Sequence, residues 1–138
     1  MFSKIMIPVD LAHEETLEKA LKCGADMARN YSAPVVYVGV TSTTPSKTAH
    51  TPEEFGEKLS AFAARQADQH GIDGRSHVAI AHDPTTEIDD ALLKAVTETG
   101  ADLVVMASHI PNLMDYVWPS NGGKIAEHAK ASVLVVRG

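Results

Sequence analysis

Short apolar runs alternate with segments of helical period from one end of this chain to the other, and no other feature limits its fold as much. Residues 4–9 (KIMIPV), 34–40 (PVVYVGV), 76–81 (SHVAIA), 102–107 (DLVVMA) and 133–136 (VLVV) read as strands. Between the first two, Leu17, Ala20, Leu21, Gly24, Ala25 and Ala28 recur at steps of three and four. That spacing predicts a helix over about Glu14–Asn30 with one face turned to a core. A polar stretch then leads to a helix start: Thr51 can cap, Pro52 suits the first helical position, and Glu53 and Glu54 favour the dipole. This helix carries Phe55, Leu59, Phe62 and Ala63 and stops near Gly71. Another is expected over Thr85–Thr99, with Asp83-Pro84 as its start signal, Ile88, Ala91, Leu92, Ala95 and Val96 on one face and Gly100 at its end. A short helix through Ile125 and Ala129 precedes the last strand.

Connections of that length join parallel strands by right-handed crossovers. The expected class is therefore α/β, a doubly wound five-stranded parallel sheet with helices on both faces. With 138 residues and neither an internal repeat nor a linker, the chain is expected to form one domain over residues 1–138.

Charge and composition remove several function classes. The formal net charge is −6 and Lys and Arg form no run, so a phosphate backbone would be repelled and no nucleic-acid partner is expected. Apolar stretches such as Leu103–Ala107 fall far short of the roughly 20 residues that span a bilayer, so no membrane partner is expected either. The start, MFSKIMIPVD, has no long apolar signal core, and Cys23 is a lone cysteine. Together these predict a cytoplasmic protein. Seven histidines (13, 50, 70, 77, 82, 109 and 128) show no HxH or HExxH spacing, so they read as scattered surface residues and no metal site is expected.

Open parallel sheets bind ligands beyond the carboxyl ends of their strands, where the strand order reverses. The segments arriving there are Asp10–His13, Val40–Thr43 and the loop from Ala107 to Gly123, which is long for a βα connection. Its exit, Ser120-Asn121-Gly122-Gly123, runs into a helix start. Free N–H groups there suit an anion such as phosphate, although Ser120 or Asn121 can equally be a plain helix cap. Asp10 carries the same two readings. There is no P-loop, no GxGxxG and no GxSxG elbow around Ser108-His109. A receiver-domain reading would need clustered acids after the first strand, where only Asp10 stands. Tyr116 and Trp118 can stack on a base or simply pack.

The opening KIMIPVD, the Val-rich strand ending at Val40 and the closing MASH…SN…HAKASVLVVR resemble the universal stress protein family over essentially the whole chain. The resemblance implies a sheet like that of the adenine nucleotide alpha hydrolases and a pocket for ATP, with AMP or ADP as alternatives. Mg²⁺ would enter only with the nucleotide phosphates. Carried over by position, the pocket comprises Pro8, Val9, Asp10, Val40, Met106, Ala107, His109, Pro111, Ser120, Asn121 and Gly122. Asp10 would meet the adenosine and Val40 would border the adenine. Met106, Ala107 and His109 would line the ribose side, with Ser120, Asn121 and Gly122 toward the phosphates. The family's ATP-binding members carry G-x-x-G, about nine residues, then G-S or G-T. This chain has Ala107 and Ile110 in place of the two glycines and Pro119 before Ser120. Its S-H-x-P and S-N form resembles a smaller bacterial subgroup that binds nucleotide with fewer glycines. The resemblance further implies a homodimer through Val133–Val136 and a protein partner of unknown identity.

Three functions follow. The first is a stress-response regulator that binds an adenine nucleotide; the second is a dimeric interaction module that has lost the nucleotide, motivated by Ile110 and Pro119. Slow hydrolysis is the third, and no general base with a positioned partner is evident for it.

Overall fold

The computed structural model describes residues 1–45, 49–108, 125 and 129–137. Five strands, β1 (Ile5–Val9), β2 (Val35–Thr41), β3 (Gly74–Ile80), β4 (Leu103–Ala107) and β5 (Ser132–Val136), form one sheet in the order β3-β2-β1-β4-β5. Every pairing is parallel. Helices α1 (Glu18–Tyr31), α2 (Pro52–His70) and α3 (Pro84–Thr99) connect the first four in turn. The expected α/β fold, with a five-stranded parallel sheet, is the one observed.

Side chains alternate across the sheet and feed two cores. On one face Ile5, Ile7, Val9, Val35, Tyr37 and Val105 pack against Leu17 and Leu21, and against Phe55, Leu59 and Phe62 of α2. On the other, Met6, Val36, Val38, Val104 and Met106 pack against Leu92, Ala95 and Val96 of α3 and against Ile125. Both faces are thus covered, as an all-parallel sheet requires. Among the described residues no helix is long and apolar enough to cross a membrane. The layer of α2 lies so close to β2 that a Cβ on Gly39 would stand 2.7 Å from the Phe55 ring.

The helix ends follow their local chemistry. Thr51 Oγ1 accepts the Glu54 N–H at 3.1 Å, and the Glu54 carboxylate accepts the His50 N–H at 3.0 Å. Gly71 closes α2 at φ 64°, a conformation cheap for glycine. At the amino end of the sheet, the Asp102 carboxylate accepts the N–H groups of Ser3 (2.9 Å) and Lys4 (3.0 Å) and the Ser3 hydroxyl (3.0 Å). Burial alone would raise the Asp102 pKa, but these hydrogen bonds outweigh it and hold the carboxyl below its usual range. Lys4 Nζ reaches the Thr99 carbonyl at 2.9 Å. The starts of β1 and β4 are thereby clipped together.

Most strand boundaries shift by a residue or two from expectation, and three differences have a visible cause. The helix expected from Glu14 begins as a 3-10 segment, Leu11–Leu17, with His13 at φ −137°, ψ 47° inside it, and becomes α-helical only at Glu18. β3 starts at Gly74 rather than 76, because Gly74 and Arg75 pair with Val35 and Val36 on an edge strand whose side chains need not be apolar. β4 starts at Leu103, since Asp102 serves the clip.

Tyr37 is fully buried, edge-to-face with Phe62 at 5.4 Å, and its hydroxyl finds no partner among the described residues. Burial pushes its phenol up to about 12. An unfolded chain would lose this proton near 10.0, the ordinary tyrosine value, so stability should fall as pH rises from there to about 12. Tyr37→Phe keeps the ring and removes the orphan hydroxyl. Urea denaturation should show it at least as stable as wild type at pH 7, with a flatter decline over that alkaline window.

Candidate functional site

From β1 the sheet grows outward to β2 and β3 on one side and to β4 and β5 on the other. The strand order therefore reverses between β1 and β4, and a crevice at their carboxyl ends is where such sheets take ligands. The backbone of β1 opens this crevice. Ile5 donates to Pro34 on the β2 side at 3.0 Å, while the Lys4 carbonyl accepts from Asp102 (3.0 Å) and Leu103 (3.3 Å) on the β4 side. By alternation Met6 and residue 8 also turn their backbones to β4. Residue 8 is proline and has no N–H to give the Val105 carbonyl.

The ladder records the consequence. Pairing of β1 with β2 runs to Val9↔Gly39, and that of β4 with β5 runs to Ala107↔Val136. Beyond it Ser108 still donates to Val136 at 2.8 Å. Between β1 and β4 the pairing stops at Met6↔Val104. A proline in a central strand is ordinarily disfavoured; here it unpairs one seam at one end while the neighbouring seams continue.

Continuing the register, Pro8 lies level with Met106, and Asp10 with Ser108 and Val40. The structure thus brings Pro8, Val9, Asp10, Val40, Met106 and Ala107 to adjacent strand ends. Their side chains are not equally available. Val9 (2% exposed) and Met106 (1%) are committed to opposite cores and could offer a ligand only backbone. Val40 packs half-buried on the α3 side, Ala107 on the α1 side, and Pro8 is buried. His109, Pro111, Ser120, Asn121 and Gly122 lie outside the described residues, as do Ile110, Trp118 and Pro119.

Asp10 is a cap, and more. Its Oδ1 accepts the Ala12 N–H at 3.0 Å, ending the strand and starting the 3-10 segment. Its Oδ2 lies 2.9 Å from His13 Nδ1. His13 therefore does not belong with the scattered surface histidines. It is paired, and its side chain is only 26% exposed. The D-x-x-H spacing was the available signal, since side chains three residues apart at a helix start are neighbours. Across the mouth, the Ser42 and Thr44 hydroxyls lie 2.8 Å apart beyond β2. Among the described residues no group of three or more His, Cys, Asp or Glu could hold a metal ion.

Replacing Pro8 by alanine returns the missing N–H opposite the Val105 carbonyl. In Pro8→Ala the new residue-8 amide should exchange slowly, with protection close to that of Met6. Rapid exchange there, measured by NMR, would mean that proline is not what holds the seam apart.

A family model described as the universal stress protein family matches residues 1–137. Universal stress protein G of Shigella flexneri is 24% identical over 148 residues, covering 99% of this chain and 100% of that protein. Among solved structures, the universal stress protein from Archaeoglobus fulgidus in complex with dAMP superposes with a TM-score of 0.66 at 18% identity, covering 96% of each chain. A universal stress protein family protein from Arabidopsis thaliana with AMP bound superposes with a TM-score of 0.63 at 14% identity, covering 98% of this chain and 91% of that one. At such identities the superpositions speak for the fold.

Proposed function

Because the chain belongs to the universal stress protein family, we propose that it binds an adenine nucleotide in the crevice between the carboxyl ends of β1 and β4. The observation that carries this reading is the unpaired seam beyond Met6↔Val104, which leaves backbone polar groups of both strands at the switch point. Asp10 and Val40 flank it. The neighbours with dAMP and AMP bound support the ligand class.

In this proposal Pro8, Val9 and Asp10 border the nucleoside with Val40, and Met106 and Ala107 contribute backbone from β4. His109, Pro111, Ser120, Asn121 and Gly122 complete the ribose and phosphate side. The ligand is ATP, ADP or AMP, and Mg²⁺ arrives with the phosphates rather than in a protein cage. Occupancy would then inform a cytoplasmic stress response. The protein acts as a homodimer through β5. That strand is one of the two sheet edges, and Val135 on it is 39% exposed, an apolar edge of the kind proteins pair or cover.

A second reading, an interaction module of the same family without nucleotide, is favoured by Ile110 and Pro119 standing where glycines are expected. Mass spectrometry of the gently purified protein, with calorimetry against ATP, ADP and AMP with and without Mg²⁺, separates the two. About one adenine nucleotide per chain supports the first; no copurifying ligand and no heat with any of the three establishes the second. Sedimentation at micromolar concentration should return twice the chain mass, and a monomer would refute the β5 pairing.

A further inference from the structure

At the edge of the sheet opposite β5, nothing among the described residues pairs with the outer side of β3. We propose that β3 is a docking strand for a protein partner, which adds an extended segment, apolar at alternate residues, to this edge through main-chain hydrogen bonds. The proposal is independent of the nucleotide reading.

Hydrogen bonds at the two ends of β3 assign its backbone groups. The Asp73 carbonyl accepts from Val35 at 2.8 Å, and Ala81 donates to Thr41 at 2.9 Å. Residues 73 and 81 thus face β2, and by alternation so do Arg75, His77 and Ala79. The N–H and C=O groups of Gly74, Ser76, Val78 and Ile80 point away from the sheet. Proteins blunt a free edge with proline, lysine, a bulge or a very short strand. β3 has none of these: it runs for seven residues, each paired in unbroken register with one of Val35–Thr41. Its charged side chains already have partners, Arg75 with Asp73 at 2.9 Å and His77 facing Glu98 at 3.8 Å. The edge therefore offers backbone and apolar surface rather than charge. Ile80 is 55% exposed, more than Val135 on the opposite edge.

The position of α2 decides what can be added. A Cβ on Gly74 would stand 2.8 Å from the Ala63 carbonyl oxygen, and one on Gly56 would stand 3.5 Å from the Val78 side chain. The backbone of α2 thus runs directly over β3. Two copies joined antiparallel through β3 would place their strands about 4.8 Å apart and their α2 helices equally close, whereas packed helices need about 8–10 Å. A segment with no helix above it meets no such conflict. Val78 and Ile80 both turn to the α2 side, so apolar residues at alternate positions of the added segment would pair with them across the strands. Main-chain bonds supply affinity in such an addition, and the alternate side chains supply specificity.

NMR of the ¹⁵N-labelled protein with a capped peptide of alternating valine and threonine, carrying a lysine at each end, tests the assignment. In the free protein the amides of Ser76, Val78 and Ile80 should exchange rapidly and those of His77 and Ala79 slowly. Peptide at about 1 mM, enough to register weak strand addition, should shift the outward amides and slow their exchange. The same peptide N-methylated at alternate residues should do neither. Val78→Pro removes an N–H that β2 does not use, so it should keep the fold and the mass in solution while binding the peptide about ten-fold more weakly. Ile80→Asn leaves every backbone donor in place and should weaken the peptide about five-fold through lost apolar burial. Outward amides already protected in the free protein, amides unmoved by the peptide, equal binding of the N-methylated form, or binding untouched by Ile80→Asn overturns the proposal. A changed mass in Val78→Pro overturns it in favour of a second copy.

Discussion

β1 is buried on both faces and paired on both sides, and every other layer is arranged around that circumstance. A strand in this position must be apolar along its whole length, must have helices above and below, and must hand its backbone groups to two neighbours. Ile5, Ile7 and Val9 supply one core while Met6 supplies the other. The seam between β1 and β4 is where these obligations are met unevenly. Asp102 clips its amino end through Ser3 and Lys4. Pro8 leaves its carboxyl end without a donor. The same pair of strands is thus fastened at one end and open at the other, and the open end coincides with the reversal of strand order.

This arrangement separates the work of backbone and side chain. Val9 and Met106 stand at the mouth of the crevice, yet their side chains face the two cores and contribute stability rather than recognition. In the proposed site, recognition at that level would fall to backbone groups and to polar side chains just beyond the strand ends. Asp10 lies just beyond β1, held by short-range hydrogen bonds to Ala12 and His13. A rigid sheet end carrying a few anchored polar groups is a common way to build a small-molecule site.

Much of this is legible in the amino-acid sequence. Apolar runs marked β1, β2, β4 and β5, because strands packed between helix layers are apolar almost throughout, and alternation marked the edge strand β3. The i, i+3, i+4 spacing of Leu17 through Ala28 named residues that are indeed buried beneath α1. Thr51, Pro52 and Glu54 announced the start of α2 by hydrogen bonds that close within four residues. Where the reading slipped, the cause was non-local or conformational. Gly74 and Arg75 belong to β3 because Val35 and Val36 pair with them, which no local pattern reports. The pairing of His13 with Asp10 is not distinguished in the sequence from the other histidines, because an i, i+3 spacing allows a contact without requiring one.

The sequence by itself determined the class of fold, the two apolar faces and the helix caps, since each of these depends on residues near one another in the chain or on simple periodicity. Only the tertiary structure decided the strand order, and with it that β1 and β4, nearly a hundred residues apart, share a seam. It also decided which side of β1 the missing N–H of Pro8 faces. A proline removes a donor wherever it stands; whether that loss weakens a sheet or opens a crevice depends on the strand brought alongside, and that is a property of the folded chain.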